Sequence, residues 1–564
     1  MTLVGGVHAS TNVPNVILIM ADDMGYECVS ANGSLTYQTP RLDDLAARGI
    51  RFNHCYSTPI CTTSRVVLMT GRYSQSSYEA FTYLNPGWYT FGHLFKDAGY
   101  RTCMAGKWQL NGTAYNLPGW NDLSRPQRAG FDETCVWNVT VSGQSRYADP
   151  VLSINGGALQ THTNAYGPEV LNDFVLDFID RHHSQPFFVY YPMVLPHAPF
   201  VPTPDSPASS NTRVEYFNDM VTYLDDMVGN IVDRVDGLGI AEDTIVLFIA
   251  DNGTDADIVG QQTTYGVVDG GKTMLTDAGT RVPMIVWWKG HTATGSVSDV
   301  LISLADFVPT FADAICQTNT AHLELDGHSF HDLLAGEPGF VPRDHTFVHY
   351  DARWFLGHEY RGRFARTQRY KLYETGDVLR SGQLFDVLND PLENFPLEPP
   401  YSTEEDAARQ HLLAALSAQA PMNLGYNTFY PAWREASFTP AELLNMEISG
   451  DEADPDMDGK NNFYEYLTGT PPLVADATTN FSGYFDSSDV FALLRLNRAA
   501  NGYKVVLERS ADLVVWEEWG ESTEQAILRP GRLDGHSIEY SMELPDDDAE
   551  GYIRMRFSPF KPMN

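Results

Sequence analysis

The chain has 564 residues and a formal net charge of -36 at pH 7, with 37 Lys and Arg against 73 Asp and Glu. Its length is several times what one hydrophobic core requires, so two or three domains are expected. Nucleic acids and anionic membrane surfaces are disfavoured as partners, because both are bound by clustered Lys and Arg. A few basic residues that converge in one pocket can still bind an anionic substrate.

The longest apolar runs, residues 244–250 and 282–288, have the length of buried strands. A membrane-spanning helix needs roughly 20 apolar residues, so no membrane span is expected. Residues 1–11 resemble a polar leader more than part of a fold, which is compatible with a removed export signal. Six scattered cysteines are too few for a disulfide framework and leave room for one or two bridges.

Three apolar, β-branched runs predict buried strands, and each is followed by polar residues. These are Asp22 and Asp23 after residues 15–21, His197 after residues 187–195, and Asp251 and Asn252 after residues 244–250. Helical patterns at residues 169–181 and 214–235 lie between them, so the sequence predicts an α/β sheet. Ligands of such sheets bind at the carboxyl ends of the strands, where these polar residues are expected.

Four oxygen-bearing side chains at two strand ends suit a hard cation, either Ca²⁺ or Mg²⁺: Asp22, Asp23, Asp251 and Asn252. The lack of a His and Cys cluster in this set argues against zinc. An Asp-Asp pair by itself is more often a helix cap or a solvated turn.

Cys61 stands at the start of a predicted helix, and Arg65 follows one turn later. A helix N-terminus binds anions, and the guanidinium of an arginine adds a planar pair of donors. On these residues alone, a buried structural cysteine is the commoner explanation.

Beyond residue 344 the pattern changes to shorter strands at residues 369–373 and 383–387, followed by a helix at residues 403–419. This predicts a smaller α+β subdomain. From residue 482 onward, short alternating strands such as residues 504–508 and 552–557 predict an all-β module. The module could bind polysaccharide or serve only for packing or secretion.

The acidic segment 454–465 fits the twelve-residue calcium-loop pattern, with side-chain oxygens at positions 1, 3, 5, 9 and 12 and glycine at position 6. A solvated acidic linker is the alternative. The pattern predicts a second, structural Ca²⁺ held by Asp454, Asp456, Asp458, Lys460, Asn462 and Glu465, with Lys460 at the position that contributes its backbone carbonyl.

Taken in order, these motifs resemble the type I, formylglycine-dependent sulfatases of the alkaline-phosphatase-like superfamily. Residues 61–72 resemble the signature Cys-x-Pro-Ser-Arg followed by a helix that ends in Thr-Gly-Arg, with Thr63 where proline or alanine is usual. The further matches are Asp22-Asp23, Gly106-Lys107-Trp108-Gln109-Leu110, Pro196-His197-Ala198-Pro199, Asp251-Asn252-Gly253, Gly270-Gly271-Lys272 and Gly279-Thr280-Arg281-Val282-Pro283.

The resemblance implies an alkaline-phosphatase-like fold: a mixed or parallel sheet sandwiched by helices, a smaller α+β subdomain and, appended here, a C-terminal all-β module. It implies that a maturation enzyme converts Cys61 to formylglycine, whose hydrated aldehyde is the nucleophile. It also implies an active-site Ca²⁺, or Mg²⁺, bound by the four oxygen donors Asp22, Asp23, Asp251 and Asn252.

By the same resemblance, Arg65, Lys107 and Lys272 offset the charge of the sulfate oxygens, and His197 protonates the leaving oxygen. Gln109 replaces a usual histidine. A glutamine can bind the substrate through hydrogen bonds but cannot accept a proton near neutral pH.

Asp277 stands where the family usually has glutamate, five residues after Lys272. We expect its carboxylate to pair with Arg281 and to have a structural role. Residues 383–394 resemble the closing strand and turn of the family and are expected to mark the fold without a catalytic role.

The predicted function is an arylsulfatase-like hydrolase, secreted or periplasmic, that releases inorganic sulfate from a sulfated saccharide or a small aryl sulfate. The alternatives are a phosphonate or phosphodiester hydrolase of the same superfamily, and a carbohydrate-binding protein with a degenerate site. The predicted boundaries are 12–343 for the catalytic domain, 344–436 for the subdomain, 437–475 for the calcium-loop linker and 476–564 for the β-sandwich-like module.

Overall fold

The computed structural model describes residues 13–113, 117, 119–210, 212–316, 320, 323–351, 362–374 and 380–419, and the backbone of seven strands between residues 481 and 557. The chain divides into two compact units, Met1–Ala418 and Gln419–Asn564. The calcium loop predicted at residues 454–465 lies outside the described residues. Within the described part of the chain, every helix is too short or too polar to cross a membrane.

The first unit contains sixteen strands. In chain order they are β1 Asn15–Ala21, β2 Ile50–Tyr56, β3 Arg101–Lys107, β4 Glu133–Trp137, β5 Val151–Ile154, β6 Gln160–Thr161, β7 Phe187–Pro192, β8 Thr244–Ala250, β9 Gln261–Thr263, β10 Gly266–Val268, β11 Arg281–Trp288, β12 Ser296–Ser303, β13 Thr346–Tyr350, β14 Gly362–Arg366, β15 Tyr370–Tyr373 and β16 Leu384–Asp386.

Ten of these strands form one mixed sheet in the order β12-β2-β11-β8-β1-β7-β3-β4-β5-β6. The five central strands β8, β1, β7, β3 and β4 are parallel, whereas β11 and β5 run antiparallel to their neighbours. Every residue of β1 and β8 is buried, as expected for strands covered by helices on both faces. The predicted mixed sheet is confirmed, and β1 and β8 have the predicted bounds.

Eleven α-helices accompany the strands in the described part of the first unit. They are α1 Pro40–Arg48, α2 Cys61–Thr70, α3 Ser74–Ser77, α4 Phe91–Asp97, α5 Arg125–Arg128, α6 Gly167–His182, α7 Arg213–Gly237, α8 Asp277–Thr280, α9 Phe307–Ala314, α10 His331–Ala335 and α11 Thr403–Ala418.

Local sequence explains where the two longest of the central helices begin. Helix α6 has a proline in its first turn, where the missing N–H group costs no hydrogen bond. Helix α7 begins at a capping box, in which Thr212 and Glu215 bind each other's backbone N–H groups. Both helices extend one or two residues beyond the predicted range at each end, because the terminal residues of a helix lie outside its hydrophobic periodicity.

Strands β13 to β16 form a separate four-stranded antiparallel sheet, and α11 follows it in the chain. This is the predicted α+β subdomain. All six cysteines are free, so the one or two bridges that the sequence allowed are not formed.

The second unit contributes seven strands: β17 Phe481–Ser487, β18 Val490–Ala499, β19 Gly502–Ser510, β20 Glu517–Thr523, β21 Leu528–Asp534, β22 Ser537–Glu543 and β23 Tyr552–Phe557. They pair in two antiparallel sheets, β17 to β20 and β21 to β23. The predicted C-terminal all-β module is therefore present.

Candidate active site

The pairing register brings the predicted oxygen donors together. Ala21 at the end of β1 lies opposite Ala250 at the end of β8, so Asp22 and Asp251 leave the sheet side by side. The backbone N–H of Asp23 donates to Asp251 Oδ1 at 3.0 Å. Asn252 Nδ2 donates to Asp23 Oδ1 at 2.8 Å. All four side chains are buried, so the polar groups that face the three carboxylates decide whether they are charged.

Arg65, buried in helix α2, contacts two of these carboxylates. Its Nη2 lies 2.8 Å from Asp251 Oδ2, its Nε lies 3.1 Å from the same oxygen, and Nη2 is also 3.3 Å from Asp22 Oδ1. Burial of Asp251 raises the pKa of its carboxyl group, and Arg65 opposes that shift. The guanidinium therefore joins helix α2 to the ends of β1 and β8.

Lys107 adds a second cation beside Asp22, and Lys272 neutralises Asp23. Lys107 Nζ donates to Asp22 Oδ1 at 2.7 Å, and Lys272 Nζ donates to Asp23 Oδ2 at 2.5 Å. Burial alone would raise the pKa of Asp22, but Lys107 is the strongest of several cations that hold it well below its usual range. The clustered charges thus compensate one another in pairs.

Close backbone packing explains the glycines that flank these residues. At Gly106 the φ angle is +130°, and a Cβ atom would lie 1.9 Å from the Pro192 carbonyl oxygen. A Cβ atom at Gly253 would lie 1.8 Å from the Ala278 carbonyl oxygen. Only glycine lets these chain segments approach so closely, and the approach sets Lys107 and Asn252 beside their neighbours.

Cys61 is the first residue of α2 and is 3% exposed. Burial lowers the pKa of the Lys272 ammonium, but Asp23 and, to a smaller extent, the Cys61 sulfur raise it overall. Burial likewise opposes the raised pKa of Arg65, which is due first to Asp251 and Asp22, with a smaller contribution from Cys61. Cys61 therefore shares an electrostatic environment with both cations. Thr63, which departs from the family signature, is buried and donates from its hydroxyl to the Ile60 carbonyl at 3.0 Å.

His197 follows β7 and contacts two members of the cluster. Its Nε2 lies 3.4 Å from Asp23 Oδ2 and 3.3 Å from Lys272 Nζ. Its Nδ1 lies 2.6 Å from the Ala198 carbonyl oxygen. Burial lowers the pKa of His197 to about 3, so the imidazole is neutral near pH 7.

Gln109 lies at the same edge of the sheet, two residues after Lys107. Its φ angle is +48°, and its backbone N–H donates to the Asn138 carbonyl oxygen at 3.1 Å. Among the described residues, its buried side-chain oxygen has no hydrogen-bond partner. Gln109 is thus beside the cluster without bonding to it.

Two oxygens of the predicted cation site are buried and lack hydrogen-bond partners within the described part of the chain: Asp22 Oδ2 and Asn252 Oδ1. Asp22, Asp23 and His197 also offer ligand atoms within 4.8 Å of one another. An uncompensated buried oxygen is costly, and a hard cation would satisfy these donors. The residues fit a divalent cation held mainly by oxygen.

Arg146 and Asn138 belong to the same region but were missed in the sequence. Arg146 Nη1 lies 3.5 Å from Asp22 Oδ2, and its guanidinium carbon lies 3.8 Å from the centre of the Trp137 ring. Asn138 follows β4 with a φ angle of +59°. A predicted pairing of β3 with β4 could have indicated that Asn138 lies beside Lys107 at the edge of the sheet. Arg146 lies in a loop, where no sequence periodicity indicates its position.

The predicted pairing of Asp277 with Arg281 is wrong. Asp277 accepts from Arg366 at 2.9 Å and from Lys371 at 3.1 Å, both on the subdomain sheet. Arg281 instead lies over the Tyr26 ring at 3.7 Å and donates to the Asn53 carbonyl at 2.8 Å. Asp277 is the first residue of the short helix α8, and its carboxylate points toward the subdomain sheet. The spacing of residues along the sequence could not have indicated this direction.

Two family models match the chain. The model described as Sulfatase matches residues 14–316, more than half of the chain. The model described as N-sulphoglucosamine sulphohydrolase, C-terminal, matches residues 265–417, which include the subdomain sheet.

Curated proteins and solved structures resemble the chain over the same region. Arylsulfatase A of Bos taurus is 30% identical over 447 residues, covering 69% of this chain and 84% of that protein. N-acetylgalactosamine-6-sulfatase of Homo sapiens is 27% identical, covering 74% and 89%. The crystal structure of Ps i-CgsB in complex with k-i-k-neocarrahexaose superimposes with a TM-score of 0.60 at 24% identity, covering 72% of this chain and 92% of that one. The structural likeness supports the fold.

Proposed function

The chain belongs to the sulfatase family and is a sulfate-ester hydrolase, and we propose that it desulfates a carbohydrate with a formylglycine nucleophile made from Cys61. One observation carries the proposal. Cys61 begins the helix whose Arg65 bonds to Asp251, a carboxylate of the cation site. A nucleophile at that position faces both the cation and the positive side chains that a sulfate requires.

The proposed cation ligands are Asp22, Asp23, Asp251 and Asn252, with Ca²⁺ as the expected ion and Mg²⁺ as the alternative. When bound, a divalent cation supplies Lewis-acid stabilisation of the sulfate and activates a hydroxyl of the oxidised Cys61. Support comes from the unpartnered oxygens of Asp22 and Asn252 among the described residues. The general metal dependence of the family agrees with this role.

We assign the sulfate oxygens to Lys107, Lys272 and Arg65. Without substrate these cations bond to Asp22, Asp23 and Asp251 at 2.5 to 2.8 Å. A cation on the carboxylates takes up part of their negative charge. The ammonium and guanidinium groups can then donate some of their hydrogen bonds to the sulfate, where they offset the charge that develops during attack.

His197 is the proposed proton donor to the leaving oxygen. In the site without substrate its Nε2 accepts from Lys272. Binding of the anionic substrate would favour transfer of that proton from Lys272 Nζ to Nε2, which then donates it to the leaving oxygen. A positioned acid is worth about 100- to 10,000-fold in rate. Gln109, whose side-chain oxygen lacks a partner within the described chain, would orient the substrate by hydrogen bonds.

A sulfated carbohydrate is the proposed substrate class. One relative is named N-acetylgalactosamine-6-sulfatase, and one structural neighbour was solved with k-i-k-neocarrahexaose. A small aryl sulfate remains the simpler alternative. Four further expectations stay predictions: export from the cytoplasm, a maturation enzyme that oxidises Cys61, the second Ca²⁺ at residues 454–465, and the four domain boundaries.

The state of Cys61 tests the proposal directly. Conversion of its thiol to an aldehyde lowers the mass of the Cys61 peptide by about 18 Da, which identifies a residue activated for nucleophilic catalysis. We expect that mass in protein expressed together with a formylglycine-generating enzyme, together with sulfate release from sulfated oligosaccharides. An unconverted thiol with no release would favour a degenerate binding protein, and faster cleavage of phosphate diesters than of 4-nitrophenyl sulfate would favour a phosphodiester hydrolase.

A further inference from the structure

We propose that Arg146 forms a subsite for a second anionic group on the substrate, next to the sulfate ester. The substrate would then be an acidic saccharide that carries either a uronate carboxylate or a second sulfate close to the scissile bond. This inference rests on the proposed sulfatase function and deepens it by naming the substrate class.

Arg146 is a largely buried cation, and one nitrogen of its guanidinium lacks a hydrogen-bond acceptor among the described residues. Its side chain is 11% exposed, and its guanidinium carbon lies over the Trp137 ring, 3.8 Å from the ring centre. Within the described part of the chain, Nη1 is buried and makes no hydrogen bond. The contact with Trp137 restrains the guanidinium, so its donors are positioned before a ligand arrives.

The only carboxylate recorded beside Arg146 among the described residues is Asp22, at 3.5 Å. That carboxylate already accepts from Lys107 at 2.7 Å and lies 3.3 Å from Arg65. It is also a proposed cation ligand, so its charge is shared among three other positive groups. Arg146 is therefore left with little compensation in the loaded site, and a buried cation without compensation is costly.

A cavity of about 630 Å³ opens beside this guanidinium. Its walls come from the loop after β4 and from the segment that follows His197, and they include Trp137, Gln144, Arg146, Pro199, Val201 and Thr203. Tyr147 connects the two walls, because its hydroxyl has one proton that the Val194 carbonyl, at 2.9 Å, and the His197 carbonyl share. The cavity lies within the volume range of sites that bind small ligands.

The chemistry of these walls favours an anionic sugar. A guanidinium fork binds the planar carboxylate or the sulfate oxygens through two parallel hydrogen bonds. The side-chain oxygen of Gln144 is buried without a partner among the residues described, so it can accept from a sugar hydroxyl. Proline and tryptophan offer apolar surface for the sugar ring, while the sulfate ester itself stays with Lys107, Lys272 and His197.

The test uses matched pairs of sulfated disaccharides that contain galactose or N-acetylgalactosamine. In one arm the uronate carboxylate is intact or reduced to an alcohol; in the other a second sulfate is present or removed. We compare kcat/KM within each pair for the wild type, Arg146→Gln and Arg146→Lys. The ratio within a pair cancels any general effect of the substitution on Asp22 and the cation. Arg213→Gln, which changes an exposed arginine paired with Asp257, is the control.

We expect the wild type and Arg213→Gln to favour the more acidic member of at least one pair by about 10-fold, as for a hydrogen bond to a charged group. Arg146→Gln should bring that ratio to near one, and Arg146→Lys should restore part of it. The arm that shows the preference identifies the second anion as carboxylate or sulfate. A wild-type ratio near one in both arms, or a ratio unchanged in Arg146→Gln, overturns the subsite.

Failure of the subsite and failure of the sulfatase function give different results. An unconverted Cys61 with no sulfate release from any substrate counts against the function. In that case calorimetric titration of the same pairs still tests Arg146, and equal affinities within every pair overturn it. Release from 4-nitrophenyl sulfate without release from any acidic disaccharide keeps the function and overturns the subsite.

Discussion

Lys272 donates a hydrogen bond to His197, with 3.3 Å between Nζ and Nε2. The other ring nitrogen of His197 faces the Ala198 carbonyl at 2.6 Å, and a carbonyl can only accept. Nδ1 therefore carries the ring proton and Nε2 accepts from Lys272. Burial lowers the pKa of His197 to about 3, whereas Asp23 overcomes burial and raises the pKa of Lys272. In the site without substrate, the proton between Lys272 Nζ and His197 Nε2 is therefore held by Lys272.

This arrangement predicts the pH dependence of His197→Gln. With a pKa of about 3, His197 is neutral above about pH 5 and gives kcat/KM no titration between pH 5 and 8. A nearby divalent cation would lower that pKa further, since it disfavours the imidazolium. We expect the variant to lose about 100- to 10,000-fold in kcat/KM across that range with an unchanged profile shape. A wild-type acid limb near pH 6.5 that vanishes in the variant would contradict the assignment.

Cys61→Ala should abolish sulfate release while leaving the fold intact, because the side chain is small and only its sulfur is lost. Cys61→Ser should give trapped or trace activity at most, since a serine ester lacks the second hydroxyl that releases the product. Sulfate release by ion chromatography and the melting temperature of each variant measure the two effects. Normal turnover by Cys61→Ala would remove the mechanism.

Chelation should remove activity without unfolding the protein. Lys107, Lys272 and Arg65 still neutralise Asp22, Asp23 and Asp251 when no cation is bound. We expect Ca²⁺ to restore sulfate release and to raise the melting temperature with its concentration, as a ligand of the folded state does. Asn252→Ala should need more Ca²⁺ for both effects. Full activity of protein shown by elemental analysis to be metal-free would contradict the cation site.

Lys371→Met should destabilise the protein strongly. Lys371 is fully buried, and its ammonium lies 3.1 Å from Asp277 and 3.0 Å from Glu393. Its removal leaves Glu393 without its nearest cation and Asp277 with Arg366 alone. Breaking a buried ion pair in this way costs about 3 to 5 kcal/mol. The control is Lys289→Met, because Lys289 is 55% exposed and lies 3.6 Å from an exposed Glu242. We expect the control to change the free energy of unfolding by about 1 kcal/mol or less. Equal denaturation midpoints of the two variants would contradict the buried network.

His54→Gln should reduce the acid sensitivity of folding. Burial, reinforced by Arg366 and Arg281, lowers the pKa of His54 to about 2. An unfolded histidine titrates near 6.5, so below that pH the unfolded state binds a proton that the native state does not, and stability falls. Between pH 6.5 and 4.5 we expect the wild type to lose about 2 kcal/mol more than the variant. The exposed His183→Gln serves as control, and identical pH dependence of wild type and His54→Gln would contradict the expected effect.

Much of this site could be predicted because its residues occur in short motifs at strand ends. Asp22 and Asp251 follow fully buried apolar runs, and apolar runs of that kind predict parallel strands whose carboxyl ends meet. Cys61 and Arg65 lie one turn apart on a helix, so local geometry alone placed them on one face. In these cases the relevant distance is set by strand register or helical repeat.

Contacts between distant loops were not predictable in the same way. Arg146 reaches Asp22 from a loop 124 residues later, a separation that carries no periodic signal. Asp277 pairs with Arg366 and Lys371 and not with Arg281, although Arg281 is only four residues away. The deciding factor was the packing of the subdomain sheet against α8, which a one-dimensional pattern does not encode.

The sequence by itself determined the family, the strand and helix pattern of the first unit, and the residue types that can bind a cation and a sulfate. It could do so because apolar periodicity and motif spacing act over a few residues. Only the tertiary structure decided which cation neutralises which carboxylate, where the proton rests between Lys272 and His197, and that Arg146 lines a cavity beside the site. Those outcomes depend on burial and on chain segments that are distant in the sequence and are brought together by folding. In the buried site the low dielectric constant strengthens each charge pairing.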